Sequence, residues 1–241
     1  MCTVTIVPKS EKDFIFTSNR DEAPSRTSLE PKLYVEAGTQ VVYPKDVLSG
    51  GTWIGVSEKN RLVCVLNGGS KKHGRQATYR KSRGLVAKDF LVTNATREFY
   101  EDYDFSGIEP FTMVIVEWDN QLKLYELILN EDGHIFNKLP LKPKIWSSST
   151  LYNNAMKRER QDWFEKFISE NPLDAASILE FHKTAGRGNL DYGVVMDRGF
   201  VKTTSRTQVE KTADFVEMRF ENLKDHTQTK QSLSFSQVIN E

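Results

Sequence analysis

Apolar and polar positions alternate in short bursts through the first third of the chain, the period-two pattern of half-buried strands. Thr3 to Val7 and Phe14 to Ser18 read as a hairpin joined by the polar Lys9-Ser10-Glu11-Lys12-Asp13. A polar loop with Pro24 and Pro31 follows, then strands at Gln40 to Tyr43, Trp53 to Ser57 and Leu62 to Leu66. After Ser82-Arg83-Gly84 the spacing becomes helical, with Leu85, Val86, Phe90 and Leu91 on one face. Phe111 to Trp118 and Gln121 to Leu129 form a second hairpin, turning at Asp119-Asn120. Asn153 to Glu170 predicts a helix anchored by Met156, Trp163, Phe164 and Phe167, and Leu173 to Lys183 a shorter one. Strands return at Tyr192 to Met196, Phe200 to Thr204, Thr212 to Phe220 and His226 to Phe235. Strands at both ends with helices between predict an α+β fold, its antiparallel sheets covered by helices. No boundary argues for more than one domain across residues 1–241.

Charge narrows the partners. The chain carries 33 basic and 33 acidic residues, so no surplus of positive charge draws it to nucleic acid or to an anionic membrane. No apolar run approaches the roughly 18 residues a membrane span needs. The opening Met-Cys-Thr-Val-Thr-Ile-Val-Pro lacks the features of a secretory signal, which predicts a cytoplasmic protein. The two cysteines, Cys2 and Cys64, make neither a disulfide framework nor a pair at metal-ligand spacing, so no metal site is expected. Cys64 lies in an apolar strand and reads as inert core.

Cys2 reads differently. A small second residue invites removal of Met1, which would leave a thiol and a free α-amine on one residue. Their ordinary pKa values, about 8.5 and about 7.7–8.0, let the amine accept the proton that the thiol must lose. A hairpin returning from Cys2 would set Asn19-Arg20-Asp21-Glu22 beside it. There a carboxylate can orient the amine, and an arginine favours the thiolate. Asn67-Gly68-Gly69 ends an apolar strand, offering an amide to an oxyanion and glycines that let the backbone approach a ligand. Trp53, within Gly51-Thr52-Trp53-Ile54-Gly55, is the aromatic residue best placed to line a pocket.

Cys2-Thr3, Asn19-Arg20-Asp21-Glu22, Gly51 to Gly55, Asn67-Gly68, Ser82-Arg83-Gly84 and Asp89-Phe90-Leu91 together resemble the NRDE family, the transport and Golgi organisation protein 2 family. The matches concentrate in residues 1–91. That family is in turn similar to N-terminal-nucleophile hydrolases of the cysteine branch, the bile salt hydrolases and penicillin V acylases. The resemblance implies a four-layer αββα sandwich, with Cys2, Arg20, Asp21 and Asn67 as the catalytic positions. Asn19, Glu22 and Trp53 are then candidates for substrate or ligand binding. Where the hydrolases carry a second asparagine, the closest residue here is Ser148, a donor of shorter reach. Near the C-terminus Thr203-Thr204-Ser205-Arg206-Thr207 stands for the usual Gly-Thr-Arg-Ser order, which puts Arg206 among the binding candidates.

Three functions compete. In the first, Cys2 attacks an amide or acyl thioester and Asn67 stabilises the oxyanion. In the second, which the resemblance implies, the cleft binds a small molecule without cleaving it. Haem would then be a ligand rather than a required cofactor, with His73, His134, His182 or His226 available; acyl-CoA would be drawn by Lys71, Lys72 and Arg75. In the third, the cluster at 19–22 only maintains the fold.

Overall fold

The computed structural model describes residues 2–234, with Cys2 and Ser234 described by their backbone alone. The expected hairpin forms from β1 (Cys2–Pro8) and β2 (Phe14–Glu22), in a register running from Cys2 opposite Arg20 to Pro8 opposite Phe14. Ser10 Oγ accepts from the Asp13 N–H at 3.1 Å and closes the turn. Next come β3 (Ser28–Glu36), β4 (Thr39–Asp46), β5 (Ile54–Ser57) and β6 (Arg61–Asn67), then α1 (Arg83–Val92) and α2 (Thr96–Asp102). The meander β7 (Phe111–Glu117), β8 (Lys123–Asn130) and β9 (Gly133–Leu139) leads to the short β10 (Lys144–Ser147). Helices α3 (Asn154–Glu170) and α4 (Ala175–Thr184) precede β11 (Lys202–Thr212), β12 (Phe215–Asn222) and β13 (Gln228–Ser234).

Two antiparallel sheets result. One has the order β10-β1-β2-β11-β12-β13 and the other β3-β4-β5-β6-β7-β8-β9. They enclose a core to which β1 and β2 contribute Val4, Ile6, Phe14 and Phe16. A second core, of Val7, Ile15, Phe164, Ile178, Phe181 and Val194, lies between the six-stranded sheet and α3 and α4. Burying each such aliphatic or phenyl side chain contributes about 1.5–3 kcal/mol. Helix α1 covers the outer face of β4, β5 and β6. The arrangement is the αββα sandwich expected from the sequence. No helix among the described residues is long and apolar enough to cross a membrane.

The structure departs from the pattern in several places. Residues 28–36, expected as loop, form the edge strand β3; Pro31 falls where its register shifts between Leu29 and Lys32, a break an edge strand tolerates. Tyr192 to Met196, expected as a strand, is a turn. Asn189 Oδ1 accepts the N–H groups of Asp191 and Tyr192, and Val194 N–H returns to Ala185 O at the end of α4. Thr212 to Phe220, expected as one strand, breaks at Ala213, whose φ of 50° ends β11. Helix α2 and strands β9 and β10 have no counterpart in the sequence reading. Strand β9 is an edge with five of its seven residues exposed, so it carries no alternation to read.

One close approach positions the cleft. A Cβ on Gly51 would sit 2.5 Å from the Gly84 carbonyl carbon, so the start of α1 can meet the loop before β5 only backbone to backbone. Gly51→Ala is therefore expected to cost about 1–3 kcal/mol by overpacking. Gly74→Ala, where a Cβ would meet nothing within 4 Å, should stay near wild type. Urea unfolding of the two variants checks this.

Candidate active site

Strand β2 is buried on both faces through Asp21, so its alternation sends successive polar residues into different layers. Arg20 and Glu22 go to one side. Arg20 Nη2 donates to Asp46 Oδ2 at 2.7 Å, and its guanidinium lies 4.5 Å from the centre of the Trp53 ring. Arg26 Nε meets the same Asp46 oxygen at 2.8 Å, and Glu22 lies 3.7 Å from both arginines. Asp46 also accepts from the Ser49 N–H and hydroxyl. Burial pushes the Asp46 carboxyl up, but Arg26 and the Ser49 donors outweigh it and hold the group below its ordinary value. Glu22 is likewise held low against its burial, by the Ala23 N–H and the two arginines.

These residues line a cleft of about 340 Å³ together with Trp53, Asn67, Arg83 and Glu109. Asn67 ends β6, and its carboxamide makes no hydrogen bond among the described residues. Its backbone is fixed instead: Ser148 Oγ donates to Asn67 O at 2.7 Å, and Ser149 Oγ to Gly69 O at 2.7 Å. Gly68 turns between them at φ 84°, where a Cβ would lie 2.3 Å from Ser149 Oγ. Trp53 is 6% exposed and its indole N–H has no partner among the described residues.

Asn19 and Asp21 go to the helical side. Asn19 Nδ2 donates to His182 O at 2.9 Å and Val194 O at 2.7 Å, while its Oδ1 lies 3.2 Å from His182 Nδ1. His182 Nε2 is 2.8 Å from Thr5 Oγ1. Burial first, then Arg206 and Arg160, holds this imidazole well below its ordinary value, so Nδ1–H donates to Asn19 and Nε2 accepts from Thr5. Asp21 accepts from Tyr152 Oη at 2.7 Å and Thr203 Oγ1 at 2.8 Å. Its complete burial raises the carboxyl above the usual range despite the opposing effects of Arg160, Tyr152 and Thr203.

The cleft thus gathers Arg20, Glu22, Trp53 and Asn67, at the end of the hairpin where the Cys2 backbone pairs with Arg20. Asn19 and Asp21 lie behind the strand, and Ser148 supports Asn67 from its backbone. Arg206 lines a separate cavity of about 950 Å³ and donates to His182 O and Glu221. Of the basic loop residues, Arg75 lines the cleft, whereas Lys71 and Lys72 line another hollow. None of the four histidines lines the cleft: His73 faces Glu109, His134 meets Tyr100, His182 is core, and His226 borders the larger cavity. No group of three or more His, Cys, Asp or Glu able to hold a metal occurs among the described residues.

Sequence reasoning missed Asp46, Arg26, Tyr152 and Arg160. Only Arg160 left a signal: its place four residues after Met156 and four before Phe164 sets it on the apolar stripe of α3.

The profile of the family described as Transport and Golgi organisation 2 matches residues 1–184. No curated protein sequence matches the chain. Among solved structures, a variant of conjugated bile acid hydrolase from Clostridium perfringens is similar with a TM-score of 0.61 at 9% identity, covering 97% of this chain and 92% of that one. Penicillin V acylase from Agrobacterium tumefaciens gives a TM-score of 0.59 at 9% identity, over 98% of this chain and 87% of that one. The Caenorhabditis elegans ortholog of N-acylethanolamine-hydrolyzing acid amidase gives 0.50 at 13% identity, over 86% and 92%. At these identities the likeness is one of fold.

Removing the Asp46 carboxylate would take from the buried Arg20 its 2.7 Å ion pair. Asp46→Asn is expected to cost about 3 kcal/mol at pH 7. Because the folded state holds this carboxyl below 3.8, its contribution is present above that pH and lost as the pH falls through the folded value. The gap between variant and wild type should therefore close in acid, as denaturant unfolding at pH 7 and pH 3 would show.

Proposed function

The chain belongs to the Transport and Golgi organisation 2 family, and from that premise we propose that it is an acyl hydrolase whose nucleophile is Cys2, freed as the terminal residue by loss of Met1. The observation that carries this reading is the register that pairs the Cys2 backbone with Arg20, a residue of the cleft that also holds Asn67, whose carboxamide makes no hydrogen bond among the described residues. The fold it shares with hydrolases and acylases supports the same reading.

In the proposed reaction the α-amine of Cys2 takes the thiol proton, and the sulfur bonds to the carbonyl carbon of an amide or acyl thioester. Asn67 Nδ2–H donates to the developing oxyanion. Collapse breaks the bond to the leaving amine or thiol, which departs with the proton held by the α-ammonium. Water then adds to the acyl-enzyme, the amine takes its proton, and release of the acid restores the thiol. Arg20, pinned by Asp46 and stacked on Trp53, is a rigid positive wall for the acyl group.

A second reading shares this cleft. Arg75, Lys81 and Arg83 line it alongside Arg20 and Arg26, five cations against the carboxylates of Glu22, Asp46 and Glu109. That excess favours an anionic ligand, and an acyl-CoA would be held rather than cleaved.

Incubation with a panel of amides and acyl thioesters separates the two. Intact mass should show loss of Met1 and an acyl adduct that Cys2→Ala abolishes. Asn67→Ala should lower turnover about 100- to 1,000-fold, the usual cost of one oxyanion donor. Saturable acyl-CoA binding with no adduct and no turnover would replace hydrolysis by the second reading.

A further inference from the structure

The cavity that Arg206 lines, about 950 Å³, is larger than the cleft and has no part in the proposed reaction. Its volume falls within the roughly 300–1,000 Å³ typical of small-molecule sites. One wall is the loop between α4 and β11, and the opposite wall is the turn after β12. The loop is fixed from within. Val194 N–H bonds to Ala185 O, and Met196 N–H to Thr203 Oγ1 at 2.9 Å. Val194 and Met196 are buried, whereas Val195 between them is 39% exposed and lines the cavity. Leu190, from the same loop, is 61% exposed there, and Leu223 faces the cavity from the turn. Single exposed aliphatic residues are ordinary, but several sharing one concave surface leave an apolar wall against water.

The charges around this wall are unequal. Arg26 lines both the cavity and the cleft, and it is committed to Asp46 and Glu22. Arg206 is paired with Glu221. Lys183, Lys202 and Lys224 also line the cavity and form no ion pair among the described residues. Against these three stands the carboxylate of Asp197, which accepts from the Gly199 N–H. Arg206 adds a donor. Its side chain is 4% exposed, its Nε donates to His182 O and its Nη1 to Glu221, while Nη2 makes no hydrogen bond among the described residues.

We propose that this cavity binds a single-chain amphiphile with an anionic head, its chain along Leu190, Val195 and Leu223 and its head among the three lysines and Arg206 Nη2. Lysines alone would attract any anion; the apolar wall beside them selects one that carries a chain. A cation on the same chain is repelled, and a small anion leaves the wall wet. A fatty acid and an alkyl phosphate share this chemistry. The site does not depend on Cys2 and is the same in a hydrolase or in a protein that only binds.

Calorimetric titration of the full chain with laurate, dodecyl phosphate and dodecyltrimethylammonium, each below its micelle concentration, tests this. Saturable one-to-one binding is expected for one or both anions, the tighter naming the head, and none for the cation. Lys202→Glu, Lys224→Glu and Leu190→Asp should each weaken binding about tenfold. Arg75→Glu, in the cleft, should bind as wild type. Near-ultraviolet circular dichroism confirms that each variant is folded. Equal binding of the cationic amphiphile overturns the proposal. So does binding that Arg75→Glu weakens and the cavity variants do not, which would put the ligand in the cleft. Binding only to vesicles of an anionic phospholipid, with none to the monomeric amphiphiles, also overturns it. No turnover is measured, so failure of the hydrolase reading leaves this one standing.

Discussion

A strand covered on both faces must find a partner for every polar side chain it carries, and β2 carries four in succession at its end. Its neighbours in the sheet are β1 and β11, with the facing sheet on one side and α3 and α4 on the other. The strand is buried through Asp21 and half-buried at Glu22, so the side chains of the cluster at 19–22 need polar partners around them. Asn19 supplies two donors and an acceptor to the end of α4 and the loop at 194. Arg20 is answered by Asp46, Asp21 by Tyr152 and Thr203, Glu22 by Arg26. The placement of α4, of the loop after β4 and of the loop before α3 follows from satisfying that one strand.

The same constraint divides the cluster by task. Adjacent residues on a strand point to opposite faces, so Arg20 and Asp21, neighbours in sequence, serve different compartments. Arg20 belongs to the cleft, whose electrostatics are set by a network of arginines and carboxylates rather than by any single pair. Asp21 belongs to a dry polar layer that includes Tyr152, Arg160, Thr3 and His182. Such networks are stable only when complete, and this one is nearly so. The exception is Arg160, whose hydrogen-bond acceptors are all neutral and whose Nε has no partner among the described residues.

Rigidity in the cleft comes from backbone contacts that side chains would prevent. Gly51 against Gly84 brings the start of α1 to the cleft wall, and Gly68 under Ser149 seats the Asn67 turn on the loop after β10. Ser148, the residue that stands where a second amide would be expected from the family's pattern, spends its hydroxyl on Asn67 O. The Asn67 backbone is thereby fixed, while its carboxamide makes no hydrogen bond among the described residues.

By itself the sequence determined an α+β fold of antiparallel sheets and helices, the first hairpin, the main helices, and the residues Arg20, Trp53 and Asn67 that meet in the cleft; the sandwich came from the family resemblance. These were legible because they rest on local signals: period-two alternation, turn residues, and motifs whose glycines and amides sit at strand ends. Edge strands such as β3 and β9 were not legible, since an exposed strand with one neighbour needs no apolar alternation. Nor were Asp46, Arg26, Tyr152 and Arg160, each brought to the hairpin from a distant part of the chain. Their roles depend on burial, and a charged residue in a sequence looks the same whether solvent or protein surrounds it. Only the tertiary structure decided that Asp21 is fully buried, that Arg206 serves another cavity, and that Arg160 lies buried behind β1 among neutral hydrogen-bond acceptors.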